Sequence, residues 1–164
     1  MNNKVWPLVL AVLLMLSGCS HRHKSMMQRL NQPYEDNPTM QERVRKLMGI
    51  TMELPADMQA SKQGKDFLWI SNNAATGMKN VVIYKVKTSE SLPLSVERFC
   101  SLRDSVMQIN LKGASDSLFV TTLKASVEGR FNDKEKCCRY TGLWEMHGDA
   151  MGGQFVSKIG RAHV

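Results

Sequence analysis

Asn80-Val81-Val82-Ile83-Tyr84-Lys85-Val86-Lys87 decides the fold. Its apolar residues run on without interruption and then alternate with lysine. That is the pattern of a strand buried on both faces in the middle of a sheet. Toward the N-terminus, Asp66-Phe67-Leu68-Trp69-Ile70-Ser71 is rich in β-formers and reads as a second strand. Asn72-Asn73-Ala74-Ala75-Thr76-Gly77 is the loop between them, and Lys62 and Lys65 fall in the loop before. Farther back, Ile50-Thr51-Met52-Glu53-Leu54 alternates as a short strand, closed by a turn at Pro55-Ala56-Asp57-Met58.

Helices flank this centre. Asn37-Pro38-Thr39 opens the first: Asn37 or Thr39 serves as cap, and Pro is tolerated in the first turn. Met40, Val44, Leu47 and Met48 make one apolar stripe, and Gly49 ends it. After the punctuation Ser91-Leu92-Pro93-Leu94-Ser95, a second helix has Phe99, Leu102, Val106 and Ile109 as its expected buried face. Arg98, Arg103 and Gln108 fall outside that stripe, and Gly113 stops it.

Residues 117–147 read as a hairpin. Ser117–Thr122 and Val127–Phe131 form one arm, Asn132-Asp133-Lys134 the turn, and Cys138–Met146 the return. The Gly-rich turn Gly148–Gly153 precedes Gln154-Phe155-Val156-Ser157, a strand expected to break off with no partner. Together these elements predict an α+β fold, a largely antiparallel sheet packed with two helices, in an incomplete domain.

The N-terminus carries a different signal. Lys4 is followed by the uncharged apolar run Val5–Leu16 and by Leu16-Ser17-Gly18-Cys19. The run is too short to cross a bilayer, which takes about 20 apolar residues, and has the length of a signal-peptide core. The alternative is a buried helix opening a soluble domain. Leu-Ser-Gly-Cys resembles the lipobox of bacterial lipoproteins. Small Ser17 and Gly18 let a peptidase reach the backbone, and the Cys19 thiol is the nucleophile for a diacylglycerol thioether. Residues 1–18 are thus read as a leader cleaved between Gly18 and Cys19, and 19–36 as a polar tether. Two or three acyl chains on Cys19 hold a protein at a membrane where one would not. The basic stretch Ser20–Ser25 points to the outer membrane, facing the periplasm. His21 and His23 could pair on a metal, but a solvated tether meeting anionic headgroups is the simpler reading.

The 164 residues carry a formal charge of +7. Without the leader, which holds one Lys and no acid, 21 basic residues face 15 acidic ones, leaving +6. Arg43, Arg45, Lys46, Lys62 and Lys65 are scattered, and no basic stripe interleaves with aromatics, so nucleic acid is not an expected partner. Beyond Cys19 three cysteines remain, Cys100, Cys137 and Cys138. Cys100 could pair with Cys137 or Cys138, which point to opposite faces of a strand; buried free thiols are the preferred reading. The spacing shows no zinc quartet, and no cofactor is expected.

Three phrases together are specific: Gly64–Asn73, Arg103-Asp104-Ser105-Val106-Met107 before Asn110, and Gly142-Leu143-Trp144-Glu145-Met146 with Gly148–Gly153 and Phe155-Val156-Ser157. In these the chain resembles the DUF4837 family, lipoproteins of Bacteroidota without an assigned function, over roughly residues 40–157. The resemblance implies an envelope location and a compact α+β domain over 37–157, and supplies no catalytic residues. It departs at Gln154, where the family pattern has Pro, and in the short stretch between anchor and domain. Ile159–Val164 reads like the translation of a sequencing-adapter stretch, which sets 158–164 apart as an artefactual tail.

Few residues offer chemistry. Glu145, His147 and Asp149 alternate, so on a strand they share a face and could form a metal or acid–base cluster. Three polar residues on one face more often mark the solvated side. The Asp149–Gly153 turn could cradle an anion, although a tight turn explains its glycines. Phe67, Trp69, Tyr84 and Trp144 could stack on a sugar, but at strand spacing such rings are more often core. Asp104-Ser105-Val106 and Asp116-Ser117-Leu118 resemble an O-glycosylation acceptor of periplasmic Bacteroidota proteins, with Ser117 preferred over mid-helix Ser105. The leading functional reading is a non-enzymatic envelope lipoprotein binding a protein or glycan partner. The rival is a lipid-anchored enzyme acting on a cell-wall or glycan substrate, with Glu145, His147 and Asp149 as its site.

Overall fold

The computed structural model describes residues 6–15 and 35–161. Seven strands form one antiparallel sheet: β1 (Trp6–Met15), β2 (Ala60–Gly64), β3 (Phe67–Ser71), β4 (Lys79–Thr88), β5 (Phe119–Asn132), β6 (Cys137–His147) and β7 (Gly152–Arg161). Their order is β2-β3-β4-β1-β7-β6-β5. The helices α1 (Pro38–Met48) and α2 (Val96–Asn110) are the two among the described residues. The α+β class and the largely antiparallel sheet are as the sequence implies. Two three-stranded halves, β2-β3-β4 and β7-β6-β5, meet through β1.

The halves are packed differently. In β4, Val81 and Ile83 join Met40, Val44 and Met48 of α1 in one core, with Leu68 and Ile70 of β3. Val82 and Tyr84 point the other way, into a core with Phe99, Cys100 and Met107 of α2 and with Tyr140, Trp144, Phe155 and Ile159 of β6 and β7. So β4 is buried on both faces, which is why its sequence is nearly continuous in apolar residues. Phe99 stacks on Tyr140 with ring centroids 4.0 Å apart.

α1 is built as its sequence reads. The Asn37 side chain accepts from the Met40 N–H at 3.1 Å, and Gly49 closes the helix at φ +69°. That left-handed angle is cheap only without a Cβ. Asn37 also donates from its amide side chain to the Met58 carbonyl and from its N–H to the Leu54 carbonyl, which pins the start of the helix.

Four expectations change. Ile50–Leu54 is not a strand: Leu54 is buried against α1, and its carbonyl is taken by Asn37 rather than by a sheet neighbour. Lys62 lies in strand β2, not in a loop. Among the described residues β2 pairs only with β3, at the edge of the sheet, and an edge strand needs no apolar alternation. α2 buries Phe99, Cys100, Arg103, Asp104 and Met107, while Ile109 is 73% exposed. The apolar stripe is rotated because Arg103, set aside as a charged residue, has its charge answered inside. Finally, the strand expected to break off near Ser157 continues to Arg161 and is paired with β6 on one side and β1 on the other.

The run read as a leader is seated in the sheet. β1 is antiparallel to both β4 and β7, with Val12 opposite Val82 and Ser157. An uncharged apolar decapeptide suits a strand buried on both faces as well as it suits a signal core, since a short apolar run does not by itself distinguish the two. Residues 16–34, including Gly18, Cys19, His21 and His23, and residues 162–164 lie outside the described residues.

Candidate functional site

The second half of the sheet leaves one face open. On β6, Cys138, Tyr140 and Trp144 turn inward, while Arg139, Leu143, Glu145 and His147 are exposed on the opposite side. No helix among the described residues covers that side. β5 bulges there: from Leu123 to Glu128 it advances five residues against two of β6, from Leu143 to Thr141. Ser126 stitches the bulge, donating from Oγ to the Leu123 carbonyl at 2.7 Å and accepting from the Leu143 N–H at 2.8 Å. The resulting cleft is about 700 Å³, lined among others by Ser126, Glu128, Arg139, Thr141, Leu143 and Val156. Gly142 keeps the floor thin: a Cβ there would stand 3.0 Å from Val127 and 3.1 Å from the Phe155 ring. A shallow apolar floor with one acidic and one basic side chain suits a polymer or a protein segment.

Glu145, His147 and Asp149 do not converge in this cleft. Glu145 pairs across the ladder with Thr121 and Gly152, His147 lies on the Phe119 ring at 4.8 Å, and Asp149 sits in the turn with its carboxylate on the Ala150 N–H. All three are exposed, and no group of three or more His, Cys, Asp or Glu is placed to hold a metal among the described residues. Phe67, Tyr84 and Trp144 are core, and Trp69 is half-buried with its indole N–H on Asn80 at 3.0 Å, so the four do not form a stacking platform.

The polar centre that sequence reasoning missed is inside. Arg103, fully buried, donates from Nη1 to Thr122 Oγ1 at 2.6 Å and reaches Asp104 at 3.4 Å. Thr122 donates to Asp104 at 2.5 Å. The guanidinium carbon lies 4.4 Å from the centre of the Phe155 ring. Burial pulls the guanidinium below its usual range, while the neighbouring Tyr84 and Asp104 support its charge. The signal was present in Arg103-Asp104 on a helix facing a Thr-rich strand, but adjacent helical residues rarely share a face.

Ser105 is exposed, with its hydroxyl on the Leu102 carbonyl, but the preceding Asp104 is committed to the interior. Ser117 lies on an exposed loop beside Asp116, whose carboxylate Lys112 holds below its ordinary pKa. Cys100, Cys137 and Cys138 are free and buried, and burial raises all three thiols. No helix among the described residues is long and apolar enough to cross a membrane.

A family model described as a domain of unknown function, DUF4837, matches residues 37–163. The match takes in all of β7, beyond Ser157. No curated protein and no solved structure matches.

Proposed function

The chain belongs to the DUF4837 family, and from that premise we propose that it is a cell-envelope lipoprotein, anchored through Cys19 and acting by binding rather than catalysis. The anchor rests on Leu16-Ser17-Gly18-Cys19 at the end of an uncharged apolar run behind Lys4. Cleavage between Gly18 and Cys19 gives the thiol to a diacylglycerol and frees residues 19–36 as tether. Basic residues behind the anchor favour anionic headgroups on the periplasmic side of an outer membrane.

The observation that carries the binding role is the uncovered face of β5, β6 and β7. It presents a cleft of about 700 Å³ with exposed Leu143 at its floor and Glu128 and Arg139 at its rim. An envelope protein or a glycan is the ligand class. The exposed, separated Glu145, His147 and Asp149 give the enzymatic reading no site. Ser117 is the proposed O-glycosylation position.

Metabolic labelling with palmitate tests the anchor. Wild-type protein takes up label and pellets with membranes, and Cys19→Ala does neither. Unlabelled wild-type protein that keeps residues 1–18 would refute it. For the cleft, Leu143→Arg should abolish co-purification of the native partner while leaving the fold intact; an unchanged partner set would move the binding site elsewhere.

A further inference from the structure

Strand β5 ends the sheet, and most of its outer edge is bare. The chain after α2 reaches that edge at Phe119, which Lys112 bridges. Beyond Phe119, β6 on the inner side is the one strand among the described residues that pairs with β5. The bulge closes at Glu128, and from there to Asn132 the strand runs in even register along Thr141 to Cys137. These five residues are all exposed, and the Phe131 ring is 43% exposed. Such an edge offers a row of free N–H and C=O groups to another strand.

Val127-Glu128-Gly129-Arg130-Phe131 has the same kinds of residue read from either end: apolar, charged, glycine, charged, apolar. Only the sign of the charge reverses. A strand that pairs antiparallel with its own copy needs that order. With a two-fold axis at Gly129, Glu128 of each chain faces Arg130 of the other, and Val127 of each faces Phe131 of the other. Residues directly opposite share a face of the sheet and touch. Gly129 meets its own copy and brings no side chain to the axis. The register is specified too. An axis at Glu128 sets Glu128 against its own copy, and an axis at Arg130 sets Arg130 against its own copy. Like charges directly opposite disfavour both.

The inner side of β5 carries a matching need. Arg130 stands opposite Arg139 of β6, two cations side by side on the open face. Among the described residues Glu128, Arg130 and Arg139 take part in no ion pair. Glu128 of a second copy arrives beside Arg130 on that same face and answers the two cations. Charge on an edge ordinarily keeps other strands away; here its order admits the chain's own copy.

We propose that β5 is a homodimer edge, with two copies of the chain joined antiparallel through Val127–Phe131 about an axis at Gly129. The pairing needs neither the anchor nor a ligand in the cleft. It makes one sheet of both chains and lays their two clefts on a single face, one on each side of the axis.

The test measures the mass of the full chain, purified in detergent, by light scattering, with amide exchange read along β5. Wild-type protein should be a dimer at tens of micromolar, with slow exchange at 127–131. Glu128→Arg and Arg130→Glu should each weaken dimerisation by at least about tenfold, because symmetry turns both ion pairs repulsive at once. The double variant carrying both changes should dimerise as wild type does. Arg130→Glu also sets an acid opposite Arg139, so its monomer should keep or raise the urea midpoint, which separates loss of the dimer from loss of the fold. A wild-type monomer overturns the proposal. So does a dimer that survives both single reversals, a double variant that stays monomeric, or a dimer whose 127–131 amides exchange freely.

Discussion

The two halves of the sheet face the same interior but differ in what lies behind them. β3 and β4 have α1 at their back and the α2 core in front, so neighbouring residues Val81, Val82, Ile83 and Tyr84 are all buried. β6 has the core in front and solvent behind, so Tyr140 and Trp144 are buried while Arg139 and Leu143 are not. The number of covered faces, rather than strand propensity, sets the sequence pattern. It also decides where binding surface remains, because a strand covered on both sides has none to offer.

The comparison breaks most sharply at Ile83. Ile83→Asp puts a charge between β4 and α1 and should cost more than about 5 kcal/mol, seen as loss of the cooperative urea transition. Phe99→Ala removes the ring stacked on Tyr140 from the core that both halves share. It should cost about 3–5 kcal/mol in the same measurement. Asp104→Asn leaves the buried Arg103 without its counter-charge, for about 3 kcal/mol; a change within about 0.5 kcal/mol would show that the Asp104 charge is not what holds the guanidinium in the core.

A pH titration sharpens the picture of the shared interior. Burial raises the Cys100 and Cys138 thiols above the ordinary 9.0. Between 9.0 and their folded values the unfolded chain has lost protons that the folded chain keeps. Stability is therefore full below pH 9 and falls as pH rises beyond it. Urea midpoints at pH 8 and pH 10 check the sign, and an unchanged midpoint would place these thiols in contact with water. At the small end, Leu143→Asp, on the open face, should stay within about 0.5 kcal/mol. A large loss there would mean that the back of β6 is covered after all.

Where burial is two-sided or a cap is local, the sequence was readable. Residues 80–87 announced β4, Asn37 and Gly49 announced the ends of α1, and Asn132-Asp133-Lys134 announced the β5–β6 turn. Where a partner far along the chain decides, it was not. Ala60–Gly64 is a strand because β3 offers an edge, and no periodicity of its own records that. The face of α2 was misplaced because Arg103 is answered by Thr122, nineteen residues on. The same rule hid the cleft, since the bulge at Leu123–Glu128 exists only against the register of β6. Cys19, the residue whose chemistry the sequence speaks for most directly, lies outside the described residues.

The clamp around Asn37 has a mechanical consequence. Glu35 accepts from the Ala56 N–H, Asp36 bridges Pro55, and Asn37 holds Leu54 and Met58, so residues 35–37 are tied to the turn at 54–58. For a chain held at Cys19, only the sixteen residues 19–34 remain as leash. Sixteen residues drawn fully taut reach roughly 55 Å. If Cys19 is lipidated as proposed, the domain beyond residue 35 can reach no farther than that from its membrane, and any partner must lie within the same distance.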